Sequence, residues 1–275
     1  MAAEKKSRVY DIGLIQYSAE LAERFLFPFS QVNYLTNGAL LDRLTLITSS
    51  TDNGKTTLAS QIISEAIKQG FKVAAYFGED RGREACDRIY KQYTPYDRMN
   101  YVSLTYELNG KKTNVTEYFL TETKWNEARE FFSGKLFLYN TLCDHDIDNI
   151  IKGFNEAYES GCRVFVMDNM ENVEYEGDNE NKRFKDIAIA LRDYAINKKV
   201  HIIVVAHIRK MEREIIVPSI DDVKGSSAVT NTAKNIFTII RTDKIDHEGK
   251  PYGQLKRLCK INNYDLDKAD AVLFV

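Results

Sequence analysis

One segment constrains the fold of this chain more than any other, the stretch LTLITSSTDNGKTTLASQIISEAIKQG at residues 44–70. It begins with an apolar run, continues with a polar turn, and then carries apolar residues at helical spacing. The turn matches the phosphate-binding pattern G-x-x-x-x-G-K-[ST], with Gly54, Lys55 and Thr56 in place and Ser49 at the position of the first glycine. A strand, a phosphate-binding turn and a helix in this order predict a P-loop nucleotide-binding protein.

The chemistry of this turn suits a nucleoside triphosphate and Mg²⁺. Backbone N–H groups of such a turn and of the following helix N-terminus face the phosphates, Lys55 adds a positive charge, and the Thr56 hydroxyl is a ligand for Mg²⁺. If the position of Ser49 requires a positive φ, serine costs on the order of 1 kcal/mol there. The residues expected to bind the nucleotide are Ser49, Ser50, Thr51, Asp52, Asn53, Gly54, Lys55, Thr56 and Thr57.

Apolar strands alternate with amphipathic helices through the rest of the chain. Strands are predicted at residues 71–77, 135–140, 163–168 and 201–207, and helices at 146–160 and 181–198. This alternation indicates an α/β fold with a mostly parallel sheet and helices on both faces. Further strands, predicted to be antiparallel, lie at 235–241, 254–261 and 271–275, and residues 90–125 are predicted to be a helical excursion.

Composition excludes several classes of function. Lys and Arg number 38 against 40 Asp and Glu, so the net charge of -2 gives no overall attraction to nucleic acid. The four cysteines include no CxxC pair, which indicates reduced, structural thiols. No apolar run approaches the ~18 residues of a membrane span, so we expect a cytoplasmic protein without a membrane partner.

Two carboxylates follow predicted strands at the edge of the sheet where ligands bind. Asp168 ends the strand VFVMD and is expected to hold Mg²⁺ together with Thr56, although it can also cap the next helix. Glu79 follows the strand VAAYF and is the candidate general base that activates the attacking water. Its neighbour Asp80 is the rival for this role, and either acid can instead be a solvated loop residue.

Taken in order, these motifs resemble the ATPase domain of the hexameric DnaB-like replicative helicases, especially of phage primase-helicases and mitochondrial Twinkle. The resemblance runs from about residue 32 to the C-terminus and is carried by LTLITSSTDNGKTTL, AAYFGED with Arg88 following, VFVMDN, VVAHIRK and IDDVKGSSAVTNTAKNIFTIIR. It implies a RecA-like core that hydrolyses ATP or dTTP with Mg²⁺, and it supports Glu79 as the catalytic base.

The resemblance also implies roles for residues near the C-terminus. His207 matches the polar residue that senses the γ-phosphate, and Arg241 matches a position near the nucleotide. The alternatives are a structural histidine at a strand end and a surface arginine at a strand end. Acidic residues interleave with the basic ones of the second DNA loop, so a solvated mixed-charge surface is the alternative there. The stretch matching the first DNA loop, ENVEYEGDNENKRF, is strongly acidic. The residues implied to bind single-stranded DNA are Arg209, Lys210, Arg213, Lys224, Gly225 and Ser226.

One departure from the family concerns the K-x-R motif with which a neighbouring subunit completes each site. The matching segment here is KIN, with Lys260 in the lysine position and Asn262 where the arginine finger is expected. An arginine finger contributes roughly 10³–10⁵ in rate in other NTPases. Catalysis is therefore expected to be slow, or to recruit Lys260, Arg257 or Arg241 instead.

Two functions follow from this reading. The first is a replicative DNA helicase domain that forms a ring, expected to be a hexamer, binds single-stranded DNA and works with a primase in cis or in trans in a bacterial or phage-infected cell. Residues 1–30 would then be an N-terminal oligomerisation linker and residues 31–275 the ATPase domain. The alternative is a RecA-like ATPase without motor activity that acts in recombination, loading or regulation. A small-molecule kinase is disfavoured because the HIRK and KGSS segments have no use in it.

Overall fold

The computed structural model describes residues 22–95, 99–108, 111–176, 179–209, 220–241 and 271–274. The predicted α/β alternation is confirmed. The helices are α1 (Ser30–Thr36), α2 (Lys55–Lys68), α3 (Gly82–Tyr93), α4 (Glu122–Phe132), α5 (Ile147–Glu159), α6 (Glu180–Lys198) and α7 (Ser226–Thr230). The strands are β1 (Arg24–Phe25), β2 (Ala39–Leu40), β3 (Leu44–Ser49), β4 (Lys72–Phe77), β5 (Asn100–Leu108), β6 (Lys111–Phe119), β7 (Leu136–Leu138), β8 (Cys162–Asp168), β9 (His201–His207), β10 (Asn235–Arg241) and β11 (Ala271–Phe274).

A sheet of seven strands in the order β11-β10-β3-β9-β8-β4-β7 forms the centre of the fold. Every neighbouring pair is parallel except β10 and β11, which pair antiparallel. The mostly parallel sheet with antiparallel pairing at its C-terminal end is therefore confirmed, although β10 itself is parallel to β3. The predicted strand at 254–261 lies outside the described residues.

Helices bury both faces of this sheet, which explains why its strands are apolar throughout rather than alternating. Within β8, Val164 and Val166 pack into one core together with α2, α3 and α4. Phe165 and Met167 point to the other face and pack with α5 and α6. The side-chain period of two thus divides β8 between two separate cores.

The prediction of helical structure across residues 90–125 is wrong in its middle. α3 ends at Tyr93 and α4 begins at Glu122, and between them β5 and β6 form an antiparallel hairpin with a two-stranded sheet of its own. Its register pairs Asn100 with Phe119 and Leu108 with Lys111. The sequence between the two strands is Asn-Gly, the dipeptide most typical of two-residue hairpin turns.

Two expectations from composition can be compared with the described part of the chain. Cys86, Cys143 and Cys162 are free thiols there, and Cys162 is buried at the start of β8; Cys259 lies outside it. Among the helices that the structure describes, none combines the length and the apolar character needed to cross a membrane.

A buried histidine joins the start of β9 to the segment that precedes the phosphate loop. The His201 side chain is fully buried, with Nδ1 2.7 Å from the carbonyl oxygen of Leu40 and Nε2 3.0 Å from the Thr45 hydroxyl. Burial lowers the pKa of His201 from its usual 6.5 to about 4. The ring is therefore neutral in the folded protein at pH values where an unfolded chain would protonate it.

We expect this histidine to make the protein sensitive to mild acid. The pKa of His201 is lower in the folded than in the unfolded chain. Its contribution to the free energy of unfolding is therefore fully present above pH 6.5 and decreases as the pH falls towards 4. Urea unfolding should show a free energy of unfolding about 2 kcal/mol lower at pH 5 than at pH 7 from this group. The His201→Asn variant should show a correspondingly smaller pH dependence, and an unchanged one would contradict the assignment.

Candidate active site

The predicted phosphate-binding and catalytic residues meet at one edge of the sheet. Four adjacent strands, in the order β3-β9-β8-β4, are parallel, so their carboxyl ends lie side by side. Ser49 pairs with His207 at the ends of β3 and β9, and Phe77 pairs with Asp168 at the ends of β4 and β8. Parallel pairing therefore brings these segments together from distant parts of the sequence.

The turn between β3 and α2 has the backbone of a phosphate-binding loop. Positive φ angles occur at Asp52 (58°) and at Gly54 (92°), the residue that precedes α2. Aspartate tolerates this region better than most residues, and glycine adopts it without steric cost. Ser49 is not among the positive-φ residues and continues the strand, so the steric cost considered for a serine at this position does not arise.

Lys55 lies at the base of this loop and is only 6% exposed. Its Nζ donates hydrogen bonds to the carbonyl oxygens of Ser49, at 3.2 Å, and Ser50, at 2.9 Å. Burial lowers the pKa of the Lys55 ammonium below its usual value, and the nearby carboxylates, Asp168 and Glu171 foremost, oppose this effect. A buried ammonium that is hydrogen-bonded to neutral carbonyl oxygens is suited to exchange them for the negative oxygens of a phosphate.

A hydrogen bond joins the loop between β3 and α2 to the end of β10. The backbone N–H of Arg241 donates to Oδ1 of Asn53 at 2.9 Å, and the Asn53 amide also contacts Ser50. The exposed Arg241 side chain has interactions of its own with the protein. This geometry brings the backbone of Arg241 next to the phosphate loop.

Thr56 and Asp168 form an arrangement that fits Mg²⁺. The Thr56 side chain is hydrogen-bonded to the Asp168 carboxylate, whose Oδ2 is buried and has no hydrogen-bond partner among the described residues. Burial, and to a lesser degree the carboxylates of Glu79 and Asp80, raise the pKa of Asp168 from 3.8 to about 6. A hydroxyl beside an unsatisfied carboxylate oxygen is the hard oxygen donor set that Mg²⁺ prefers.

Glu79 and Asp80 differ in their bonding partners. Asp80 forms an ion pair with Arg88, with Oδ2 2.6 Å from Nε. Glu79 instead accepts a hydrogen bond from the neutral amide of Asn169, with Oε1 2.8 Å from Nδ2. Both acids line a small cleft with Thr56, Phe77, Arg88 and Asp168. Among the described residues, no cation forms an ion pair with Glu79, which favours Glu79 over Asp80 as the base.

A close backbone contact positions Glu79 at the mouth of the site. The N–H of Gly78 donates to the carbonyl oxygen of Asp168 at 2.7 Å, extending the pairing of β4 and β8 by one residue. A Cβ atom at position 78 would lie 2.4 Å from the Cβ of Asn172, so glycine is required for this approach. Glu79 then follows directly at the carboxyl edge.

His207 is half-buried at the end of β9. Burial first, and then the Lys55 ammonium, lower the pKa of its imidazole below the usual value, while Glu171 and Glu79 act in the opposite direction. The ring is therefore neutral at physiological pH and offers both a donor and an acceptor nitrogen.

Sequence reasoning missed Glu171, which lies three residues after Asp168 in a 3₁₀ turn (Met170–Asn172). Its Oε1 accepts the backbone N–H of His207 at 2.8 Å, while its Oε2 is buried without a hydrogen-bond partner in the described part of the chain. Its only signal in the sequence was an acidic residue shortly after a strand. That signal does not separate it from the acidic loop that follows.

The candidate DNA-binding segment that follows β9 is called the second loop. Its two described ends, at Arg209 and at Lys224, are held by backbone hydrogen bonds next to His207. Arg209 N donates to Asp222 O at 2.8 Å, and Lys224 N donates to His207 O at 3.0 Å. The Arg209 side chain is exposed, whereas Lys224 pairs with Glu180 at 3.1 Å. Residues 210–219, between these two ends, lie outside the described residues.

Gly225 follows this base with a positive φ of 72°, and a Cβ there would lie 2.5 Å from the Cβ of Phe184 in α6. It therefore packs against α6 and begins α7 with Ser226. Lys210, Arg213, Lys260 and Asn262 lie outside the described residues.

Comparisons with known proteins concern the family and the fold of the chain. Residues 27–264 match the family of DnaB-like helicase C-terminal domains. A search of the curated proteins found no match.

Among solved structures, a DnaB-like replicative helicase studied with its primase interactions aligns with a TM-score of 0.65 and 16% identity. The alignment covers 83% of this chain and 56% of the helicase, so the chain spans little more than half of that protein. A further ATPase domain aligns with a TM-score of 0.62 and 16% identity. This alignment covers 81% of this chain and 78% of the ATPase domain. A KaiC-like protein of the hyperthermophilic archaeon Pyrococcus horikoshii aligns at 0.53, with 16% identity over 82% of this chain and 83% of its own.

We expect the buried charge of Asp168 to destabilise the metal-free protein. The raised pKa means that this penalty is absent below about pH 4 and complete above about pH 6. In urea unfolding with a chelator at pH 8, Asp168→Asn should increase the free energy of unfolding by about 1–3 kcal/mol, while Mg²⁺-dependent nucleotide binding is lost. A variant no more stable than the parent at pH 8 would refute the assigned environment.

Proposed function

Because the chain belongs to the DnaB-like helicase C-terminal domain family, we propose that it is an NTP-hydrolysing DNA helicase domain that uses ATP or dTTP with Mg²⁺. The observation that carries this proposal is the meeting of Lys55, Asp168, Glu79 and His207 at the carboxyl edge of four adjacent parallel strands. They have the residue types that phosphoryl transfer needs, namely a cation for the phosphates, a metal carboxylate, a base and a neutral sensor.

In this proposal the loop residues 49–57 bind the triphosphate through backbone N–H groups. Lys55 exchanges the carbonyl oxygens of Ser49 and Ser50 for oxygens of the β- and γ-phosphates. Thr56 and Asp168 hold Mg²⁺, which when bound neutralises charge that develops on the phosphates. The unsatisfied Oδ2 of Asp168 supports this role.

Glu79 then acts as the general base. Its carboxylate orients the attacking water and accepts a proton as the bond to the γ-phosphate forms and the bond to the leaving diphosphate oxygen breaks. The amide of Asn169 holds one carboxylate oxygen in place. His207, neutral because of its lowered pKa, donates a hydrogen bond to the γ-phosphate and so detects its presence.

The second loop is the proposed contact with single-stranded DNA. Arg209 and Lys224 stand at its base, with Lys210, Arg213, Gly225 and Ser226 as further contacts to the DNA backbone. The hydrogen bond from Lys224 N to His207 O supports a direct link between the nucleotide sensor and this loop. A change at the γ-phosphate would therefore reach the DNA contact through the protein backbone.

The whole assembly is part of the same proposal. A ring of copies, expected to be a hexamer, would place Lys260 of one subunit at the nucleotide of the next, with Arg241 nearby. Residues 1–30 would link the subunits and residues 31–275 would form the ATPase domain. The solved relative whose primase interactions have been studied supports a primase as the further partner.

A second candidate function is a RecA-like ATPase that changes a partner rather than moving along DNA. Asn262 at the arginine-finger position and the acidic first loop favour it. So does the pairing of Lys224 with Glu180, which occupies one of the proposed DNA contacts. The two functions differ in whether DNA accelerates turnover.

Replacement of Glu79 by glutamine tests the base. The substituted side chain keeps an acceptor oxygen for Asn169 but cannot accept the proton, so kcat should fall by about 10²–10⁴ while nucleotide affinity stays within about threefold. Asp80→Asn is the matched control and should retain hydrolysis, because Asp80 is paired with Arg88. Steady-state hydrolysis and equilibrium nucleotide binding would be measured on both. Loss of hydrolysis only in Asp80→Asn would make Asp80 the base.

Hydrolysis of ATP and dTTP, with and without single-stranded DNA, separates the two functions. Measured at protein concentrations that span assembly, the helicase function predicts stimulation by DNA that increases as oligomers form and that weakens with salt. Lys55→Ala is the control and should lack turnover under every condition. Slow turnover that DNA does not change would reject the motor and favour the partner-regulating ATPase.

A further inference from the structure

The end of β9 at His207 is held by a side chain because a strand partner is missing there. β8 and β9 pair from Val164 with His201 to Met167 with Val204, and then the chain after β8 turns away. On its other side β9 remains paired with β3 as far as Ser49 and His207. The backbone N–H of His207 thus has no strand acceptor on the β8 side, and Oε1 of Glu171 accepts it at 2.8 Å.

A clamp on the backbone holds Glu171 in this place. The guanidinium of Arg183, in the first turns of α6, donates to the carbonyl oxygens of Glu171 and Val173. These two bonds fix the 3₁₀ turn that carries Glu171 against α6. The carboxylate is therefore presented to β9 by a braced segment rather than by a free loop.

Glu171 carries a negative charge that is not needed to accept one hydrogen bond at a strand end. A neutral amide oxygen would serve as acceptor for one N–H, yet a carboxylate stands here with Oε2 buried and unpartnered among the described residues. Burying such an oxygen costs free energy. The charge acts on both the Lys55 ammonium and the His207 ring, so Glu171 is linked electrostatically to the nucleotide loop and to the sensor.

We propose that Glu171 is a positioning residue for the hydrolysis assigned above: its Oε1 fixes the end of β9, and through it the direction of the His207 side chain and the base of the second loop. The role rests on the proposed function of the site. Without this acceptor the His207 N–H would be left without its partner, and the adjoining bonds, Lys224 N to His207 O and Arg209 N to Asp222 O, would lose their support.

Amide hydrogen exchange without nucleotide tests the positioning alone. In Glu171→Ala the amides of His207, Arg209 and Lys224 should exchange at least about tenfold faster than in the parent, because a partly buried hydrogen bond to a charged acceptor is lost. Glu171→Gln keeps an acceptor oxygen and should stay within about threefold of the parent. Glu174→Ala removes an exposed carboxylate of the same loop and is the control, expected to leave these amides unchanged.

Unchanged exchange in Glu171→Ala, or equally fast exchange in Glu171→Gln, would overturn the proposal. If Glu171→Ala does not fold, Glu171→Asp replaces it, because the shorter carboxylate keeps the charge but cannot reach the His207 N–H from the same backbone position. In Glu171→Asp the amides of His207, Arg209 and Lys224 should exchange as fast as expected for Glu171→Ala. Amide protection equal to that of the parent would count against the proposal.

Kinetics then test the link to hydrolysis. Glu171→Ala should reduce kcat by at least about tenfold with KM within about threefold, and Glu171→Gln should restore most of the rate. A general structural defect would instead change KM and thermal stability and would not be rescued by glutamine. If the parent protein hydrolyses no nucleotide, the proposed function fails, while the exchange experiment still decides the role of Glu171 in positioning β9.

Discussion

Parallel pairing of β3, β9, β8 and β4 is the constraint on which the candidate site depends. Strands in such a sheet lie about 4.8 Å apart, so the ends of four neighbours span roughly 15 Å. Each strand delivers one component at the same edge: the phosphate loop after Ser49, His207, Asp168 and Glu79. Helices on both faces bury the strands and leave this edge as the place where polar groups converge.

The groups that converge at this edge carry charges that the described part of the protein satisfies only in part. Lys55 is desolvated and turns to the carbonyl oxygens of its own loop, while Asp168 and Glu171 each bury a carboxylate oxygen without a hydrogen-bond partner in the described residues. Unsatisfied buried groups cost stability, and proteins retain them where a ligand completes the site. Under the proposed function, phosphate oxygens beside Lys55 and a divalent cation beside Asp168 would complete this site.

The sequence predicted most of this site because strand ends and the phosphate loop leave local patterns. Apolar strands followed by Asp168, Glu79 and His207 could be recognised one at a time, and parallel pairing assembles them. The hairpin was missed although the sequence Asn-Gly lies between its strands, because β5 and β6 are rich in polar residues and lack the apolar runs used to find the other strands. Glu171 was missed for a different reason: its importance comes from a contact with His207 across the sheet edge, 36 residues away, which no local pattern records.

The same edge explains why a motor and a partner-regulating ATPase are difficult to separate by their architecture. The base of the second loop is joined to the site by backbone bonds, from Lys224 N to His207 O and from Arg209 N to Asp222 O, which do not depend on what the loop binds. Any shift of β9 would be transmitted to the loop in either case. What distinguishes the two functions is therefore the charge carried by the loop residues between these ends, where Lys210 and Arg213 alternate with Glu212 and Glu214. Cations that reach phosphate oxygens would make the shift a step along DNA, whereas a balanced surface would pass it to a protein.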